Sequence, residues 1–251
     1  MSSFRAGLLC VALLLPTLAL AQDGAAPADG PAGPEAPAAP ASTVKKVELA
    51  VESKLDGKKE PVNRFQYFLW ERLNHFGVRV DSKNAVGHKQ YDSWIAKQTK
   101  KRAAAEGEDP PLALQISGTQ EADYNASEFF GSAQAHNFKG SVRVTVQDAA
   151  GAPVTEVAFP FSWGRPTASG LSRAQVQGQF DKMVQTSVAL ALLDHAAVRA
   201  QVPAAKLPAL DKWIADERDE LIKVLDGSTE AIKTGELARL LRKIGSARQG
   251  K

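Results

Sequence analysis

The sequence predicts an α+β fold: a two-layer sandwich in which an antiparallel meander is covered by helices, followed by a C-terminal helical hairpin. Three consecutive segments between residues 112 and 161 alternate apolar and polar residues, which is typical of strands with one wet face. The segment that follows Leu171 instead carries apolar residues at helical spacing over about five turns. Strands in series with helices on one face define a two-layer domain.

The first 21 residues are typical of a secretory signal peptide. Arg5 precedes an apolar run from Leu8 to Leu20, and Ala19-Leu20-Ala21 fits a cleavage site before Gln22. The run is too short to span a bilayer. The only cysteine, Cys10, would leave with the signal, and the bulky Leu9 before it argues against a lipidation site. We therefore expect a periplasmic or secreted protein, cleaved after Ala21, whose mature chain has no cysteine and no transmembrane segment.

Residues 22–42 consist almost wholly of Ala, Pro, Gly and acidic residues. Without aromatic or branched aliphatic residues they cannot offset the entropy of ordering the chain, so we predict a disordered Ala/Pro-rich tether. It is either a spacer or an unconstrained leader. The predicted α+β domain covers residues 43–203, and the helical hairpin covers 204–251.

The first half of the domain begins with a strand. Val47, Leu49 and Val51 alternate with a set that includes Lys46, Glu48 and Glu52, and residues 54–60 turn the chain. A helix is predicted after Pro61, ending at Gly77. Its apolar residues recur at helical spacing: Val62, Phe65, Phe68, Leu69, Leu73 and Phe76.

A short strand and a more polar helix complete this half. The strand contains Val78 and Val80, and the helix extends from about Lys89 to Glu106 before Pro110-Pro111. Three residues of this helix are predicted to anchor it to the core: Tyr91, Trp94 and Ile95.

The middle of the chain predicts the three-stranded meander. The three strands share one apolar face, which includes Leu114, Ile116, Phe138, Val142, Val144, Val157 and Phe159. A turn at Asp148–Gly151 joins the second strand to the third. Pro160 lies within the third strand and confines that strand to an edge or a bulge, because proline cannot donate to a ladder.

The longest helix is predicted to begin after Ser172. Ser172 and Gln175 fit a capping box, and Leu171 and Val176 fit a hydrophobic staple. Beyond Pro203 and Pro208 follow two more helices with narrow apolar stripes. We expect these helices to be an accessory element that either pairs with itself or docks on the domain, so that truncation before Leu207 leaves a folded domain.

Candidate catalytic residues are few. None of the four histidines pairs with another at metal-binding spacing, and no nucleophile elbow or phosphate-binding glycine loop is present. Asp194-His195 is either catalytic or the end of a helix, where a histidine meets the helix dipole favourably. Glu121 and Asp123 fall on the polar face of a strand, as expected for a solvated surface. We predict no metal site and no cofactor.

Two segments carry candidate partner-binding residues. The connection 125–136 is longer than a hairpin needs and contains Phe129 and Phe130; Trp163 and Arg165 follow the last strand. Aromatic residues and arginine anchor many interfaces. In each segment the alternative is that the side chains pack into the core.

The strand that ends in Ser117–Thr119, the valine-rich strand after it and the turn at Asp148–Gly151 resemble exported bacterial envelope domains. These include the curli-secretion lipoprotein, the outer-membrane lipoprotein activators of penicillin-binding proteins and the amino-terminal domain of the Tol-system propeller protein. The resemblance covers about residues 44–200. It implies a non-enzymatic envelope protein that binds or assembles other proteins. The chain departs from these families in lacking a lipidated cysteine, in a long inserted loop at 125–136 and in its helical tail from residue 204.

The sequence thus favours an exported, non-catalytic periplasmic binding or assembly protein whose partner is another envelope protein. A net charge of +3 gives no basis for nucleic-acid binding. The alternative is a periplasmic hydrolase or small-ligand-binding protein whose site is assembled only in three dimensions. A deep pocket with a shifted carboxylate or histidine near Asp123, His136 or His195 would favour that alternative.

Overall fold

The computed structural model describes residues 45–106, 109–126, 128–129, 133–226 and 235–245, without the side chains of 103–106, 128–129, 133–134 and 168. The predicted signal peptide, the predicted tether and Phe130 lie outside the described residues, and so does the side chain of Phe129.

The described residues form a mixed sheet. Its strands are β1 (Lys46–Leu55), β2 (Lys58–Lys59), β3 (Arg79–Ser82), β4 (Leu112–Asn125), β5 (Glu128–Phe129), β6 (Ala133–Asp148) and β7 (Pro153–Pro166). The predicted meander is confirmed, since β6 pairs antiparallel with both β4 and β7. On the other side, β1 pairs parallel with β4 and with β3. The meander is therefore part of a larger sheet that also contains parallel pairs.

The helices are α1 (Arg64–His75), α2 (Lys89–Glu106), α3 (Arg173–Asp194), α4 (Ala196–Arg199), α5 (Leu207–Asp226) and α6 (Gly235–Lys243). The capping box of α3 is confirmed: the Ser172 hydroxyl accepts from the Gln175 N–H, and the Gln175 side chain accepts from the Ser172 N–H. α1 starts later than Pro61 suggested, because Asn63 caps it by accepting from the Gln66 N–H at 3.1 Å. The helices and the sheet together form an α+β fold.

The core lies between α3 and one face of the sheet. Val144 of β6 and Val184 of α3 are 0% and 1% exposed. The sheet face that the sequence predicted to be apolar is buried throughout: Leu114, Ile116, Phe138, Val142, Val157 and Phe159.

The two C-terminal helices share this core. Their buried residues are Leu210, Ile214, Leu221, Leu237 and Leu241, with Ile244 just beyond α6. The backbone end of α6 is also held, because Arg218 donates to the Ile244 carbonyl at 3.0 Å and the Gly245 N–H donates to the Asp194 carboxylate at 3.1 Å. Of the two sequence-based alternatives, the helices dock on the domain.

The connection predicted at 125–136 is shorter in the structure. β4 continues to Asn125, which lies opposite Asn137, and β6 already begins at Ala133. The sequence did not reveal that β4 and β6 are longer, because the segment between the predicted strands is rich in small and polar residues and shows no apolar–polar alternation.

The predicted anchoring of α2 is only partly correct. Ile95 is buried and Tyr91 stacks on Tyr67 with ring centroids 4.1 Å apart, but Trp94 is 46% exposed. Trp94 lies about 100° around the helix from Ile95, so a helix that buries Ile95 turns the indole towards solvent.

Pro160 lies on an edge strand, as predicted. β7 pairs only with β6 among the described strands, and Pro160 lies opposite Ser141. Since proline has no N–H to offer, it interrupts the row of donors along the strand and discourages pairing with another chain.

Candidate functional site

Three aromatic side chains lie side by side where β4, β6 and β7 carry the inner face of the sheet towards its end. Tyr124 is opposite Phe138, and Phe138 is opposite Trp163. The Tyr124 and Phe138 rings are 5.2 Å apart, and Phe138 also contacts Phe180 of α3 at 5.8 Å. The row is thus an extension of the core that becomes more exposed at Tyr124.

Two arginines stack on this row. The guanidinium carbon of Arg173 is 3.8 Å from the centre of the Tyr124 ring, and that of Arg165 is 4.6 Å from the Trp163 ring. Each cation is attracted to the negative face of its ring. A guanidinium stacked in this way keeps its N–H donors in its own plane, where they suit a carboxylate.

A carboxylate and a histidine complete the arrangement. Asp56, in the turn after β1, accepts from the Tyr124 N–H at 2.7 Å and lies 3.3 Å from Arg173. The Tyr124 hydroxyl and His136 Nδ1 are 2.9 Å apart and share a hydrogen bond. We call this group, made of Asp56, Tyr124, His136, Phe138, Trp163, Arg165 and Arg173, the aromatic–arginine cluster.

Two of the sequence-predicted site residues belong to the cluster. Trp163 is only 3% exposed, so its ring packs in the core, the alternative that the sequence left open. Arg165 is half-buried above it. Phe129 lies in β5, which pairs with β6 at this same end of the sheet, but its side chain is outside the described residues, as is all of Phe130.

His195 has a structural position. It ends α3 and begins α4, and its Nδ1 accepts from the Ala197 N–H at 3.3 Å. The neighbouring Asp194 carboxylate accepts from Gly245 at the end of α6. Both side chains therefore accept hydrogen bonds from backbone N–H groups near helix ends. This agrees with the alternative that the pair marks the end of a helix.

A buried carboxylate that sequence reasoning missed lies elsewhere in the core. Asp181 of α3 is 6% exposed, and its carboxylate accepts from the Gln120 side chain at 2.6 Å. Burial, with repulsion from Glu60, raises the pKa of Asp181 from 3.8 to about 7, against the opposing effects of Gln120 and Arg64. The sequence holds one signal for this buried pair, since the polar Gln120 falls at an inward-facing position of its strand.

Two cavities lined by described residues differ from the deep pocket that would favour an enzyme. A cleft of about 570 Å³ between β3 and α2 is lined by six charged residues, Arg79, Asp81, Lys83, Asp92, Lys100 and Asp109. Several of these are already paired, for example Lys83 with Glu48 at 2.7 Å.

A groove beside Asp123 lies on the open face of the sheet, where Glu121 pairs with Lys54 at 2.8 Å. Both carboxylates of that groove are exposed, as predicted for a solvated surface.

Within the described ranges, no group of three or more His, Cys, Asp or Glu is placed to hold a metal ion. Among the same residues, no helix has the length and apolar character needed to cross a membrane.

No protein-family model and no curated protein matches the chain. Solved structures similar to it include a minor lipoprotein from Acinetobacter baumannii, with 11% identity over 58% of this chain and 91% of the other and a TM-score of 0.31. A lipoprotein from Neisseria meningitidis is 13% identical over 58% and 98%, with a TM-score of 0.31. A homolog of neuraminyllactose-binding hemagglutinin from Helicobacter pylori is 9% identical over 69% and 91%, with a TM-score of 0.39. Likeness at this level does not extend to function.

Proposed function

We propose that the protein is an exported, non-catalytic binding or assembly protein of the bacterial envelope, and that it contacts another envelope protein through the aromatic–arginine cluster. Export rests on the signal-like residues 1–21, and residues 22–42 would act as the tether. The partner would present a carboxylate to the two arginines.

The observation that carries this proposal is the stacking of Arg165 and Arg173 on Trp163 and Tyr124. Arginine, tyrosine and tryptophan dominate the binding energy of protein interfaces. Stacking also fixes each guanidinium before a partner arrives, which reduces the entropy lost on binding.

The residues of the cluster would have different roles. Trp163 and Phe138 are buried and form a rigid floor, whereas Tyr124, Arg165 and Arg173 are accessible enough to touch a partner. Phe129 and Phe130 stay in the proposal as sequence-based candidates next to this floor, because β5 leads to the same end of the sheet.

The test is capture of the partner from envelope extracts by the protein with residues 22–42 retained. The double variant Arg165→Ala/Arg173→Ala should lose capture while its melting temperature stays near that of the wild type. Arg143→Ala is the matched control, since Arg143 is an exposed arginine on the open face of the sheet. Equal capture by the double variant and the control would refute the proposed site.

One observation favours the alternative of a hydrolase or small-ligand-binding protein. The Tyr124–His136 hydrogen bond joins two groups that can exchange a proton, at a half-buried position. If this pair holds a ligand, a panel of small esters and phosphates should include a compound that raises the melting temperature of the wild type but not of His136→Gln. Stabilisation that is identical in both proteins would exclude a role for the pair.

A further inference from the structure

One side of α2 is exposed to solvent. Residues 89, 90, 93, 94, 97, 100 and 101 are all exposed. They fall within about 140° of one another around a helix with 100° per residue, so they form one continuous surface. We call this surface the α2 outer face; its members are Lys89, Gln90, Ser93, Trp94, Lys97, Lys100 and Lys101.

The opposite side of α2 is already used. Ile95 is 8% exposed and Tyr91 stacks on Tyr67. Arg102 turns inward and donates to the Val78 carbonyl at 3.0 Å and to the Asn74 carbonyl at 3.4 Å. The contacts that hold the helix therefore leave its outer face unoccupied.

The outer face is basic. Four of its seven residues are lysines and none is acidic, which gives this side of the helix a charge of +4. Among residues whose side chains are described, Lys97, Lys100 and Lys101 form no ion pair and no side-chain hydrogen bond. Their charges are therefore available to a partner.

Trp94 is the second unusual feature. It is one of two large hydrophobic side chains that the described part of the chain leaves exposed, the other being Val224 in α5. Trp94, Lys97 and Lys101 are spaced three and four residues apart, so the indole lies among lysine side chains on the same side of the helix.

We infer that the α2 outer face docks on the surface of an anionic phospholipid bilayer. An indole is amphipathic and prefers the boundary between headgroups and acyl chains. Lysines around it can reach anionic headgroups with their ammonium groups while their methylene stems cover apolar surface. Charge complementarity is what selects this occupant: the face offers several unpaired cations and an aromatic side chain that inserts to a shallow depth.

This surface is separate from the aromatic–arginine cluster. α2 ends shortly before β4 begins, whereas the cluster lies where β4 ends. Bilayer contact would hold the domain at a membrane surface independently of the proposed envelope partner, so the two inferences fail or succeed separately.

The experiment is sedimentation of the protein, with residues 22–42 retained, with vesicles of phosphatidylcholine alone or of equal parts phosphatidylcholine and phosphatidylglycerol. The protein should bind only the anionic vesicles, and binding should weaken as salt increases. Lys97→Gln/Lys101→Gln should weaken binding roughly 25-fold, about fivefold for each lysine. Lys139→Gln/Lys182→Gln removes two exposed lysines elsewhere and should leave binding within about twofold of the wild type.

Tryptophan fluorescence gives a second readout. Trp70 and Trp163 are buried, and Trp213 packs against the core beside Phe76, so Trp94 is the most exposed of the four tryptophans. A shift of the emission to shorter wavelength on binding should therefore come mainly from Trp94 and should be lost in Trp94→Ala. All these substitutions are on the surface, and unchanged melting temperatures would confirm that the variants fold. No binding to anionic vesicles, or an equal loss in both lysine double variants, would overturn the inference. The inference would also be overturned if Trp94→Ala bound anionic vesicles as strongly as the wild type and showed the same shift of emission.

Discussion

At the scale of single residues, Asp181 makes the stability of the fold depend on pH. In the unfolded chain its pKa is near 3.8, whereas in the folded protein it is about 7. The folded state therefore holds the proton more tightly, and the stability gained from it is fully present below about pH 4. This contribution is lost as the pH rises through 7, by up to about 4 kcal/mol for a shift of three units.

Asp181→Asn should remove this dependence. An amide is neutral at every pH, so the variant should be more stable than the wild type at pH 8 and should lose less stability between pH 4 and pH 7. Denaturant unfolding across this range measures the difference between the two proteins, and the wild type is the control for all other titrating groups. The same dependence of stability on pH in both proteins would show that folding does not raise the pKa of the Asp181 carboxyl.

The sequence could indicate some cluster residues but not how they combine. Trp163 and Arg165 were identified by residue type, whereas Arg173 was not, because its contact with Asp56 joins positions 117 residues apart. Asp181 was missed for the same reason: the amide that makes its burial tolerable comes from a distant strand. Pairing across the chain is decided by tertiary packing, which local patterns do not contain.

At the scale of elements, two glycines differ in the space that an added side chain would find. A Cβ on Gly140 of β6 would lie 2.0 Å from the Glu121 carbonyl oxygen, so Gly140→Ala should push β4 and β6 apart. Gly178 of α3 has no atom within 4 Å of such a Cβ. We expect Gly140→Ala to cost about 1–3 kcal/mol and Gly178→Ala to add up to about 1 kcal/mol. Equal effects in denaturant unfolding would contradict the strand spacing described above.

The packing of α3 on the sheet has its own test. Val184→Asp and Val144→Asp each place an unpaired charge in the core and should abolish cooperative unfolding. Lys182→Asp, two residues from Val184 on the exposed side of the same helix, should change stability by less than about 1 kcal/mol. Thermal unfolding separates these cases, and a cooperative Val184→Asp variant would show that another face of α3 is buried.

The burial of the C-terminal helices leads to a different expectation for truncation before Leu207 than the sequence alone did. Because Leu210 and Ile214 of α5 and Leu241 of α6 are buried in the main core, truncation before Leu207 would expose that core. We now expect the shortened protein to lose several kcal/mol and to aggregate, as measured by soluble yield and cooperative melting. A soluble fragment with wild-type unfolding would restore the accessory role.

Elements with strong periodicity were predictable, and those defined by their neighbours were not. α1, α3 and the meander follow from spacing and capping residues. The parallel pairing of β1 with β3 and β4 was not indicated, because alternation along a strand does not reveal its partners or their direction. The outward position of Trp94 was missed because α2 has a weak apolar stripe.

At the scale of the whole molecule, one α+β fold carries two candidate surfaces. The aromatic–arginine cluster would bind an envelope partner, and the α2 outer face would touch an anionic bilayer. Both use cations beside aromatic rings, but only the cluster has its cations already stacked in place. An envelope protein with these surfaces would hold its partner close to a membrane.

Site-specific photo-crosslinking in the intact envelope shows whether a partner lies against the aromatic–arginine cluster. A photoreactive residue is placed at Ala174, which is exposed beside Arg173 on α3, or at Lys212, which is exposed on α5. We expect a discrete adduct from position 174 that disappears when Arg165→Ala/Arg173→Ala is added, and no such adduct from position 212. The same adducts from both positions, or an adduct from position 174 that survives Arg165→Ala/Arg173→Ala, would contradict partner binding through the cluster.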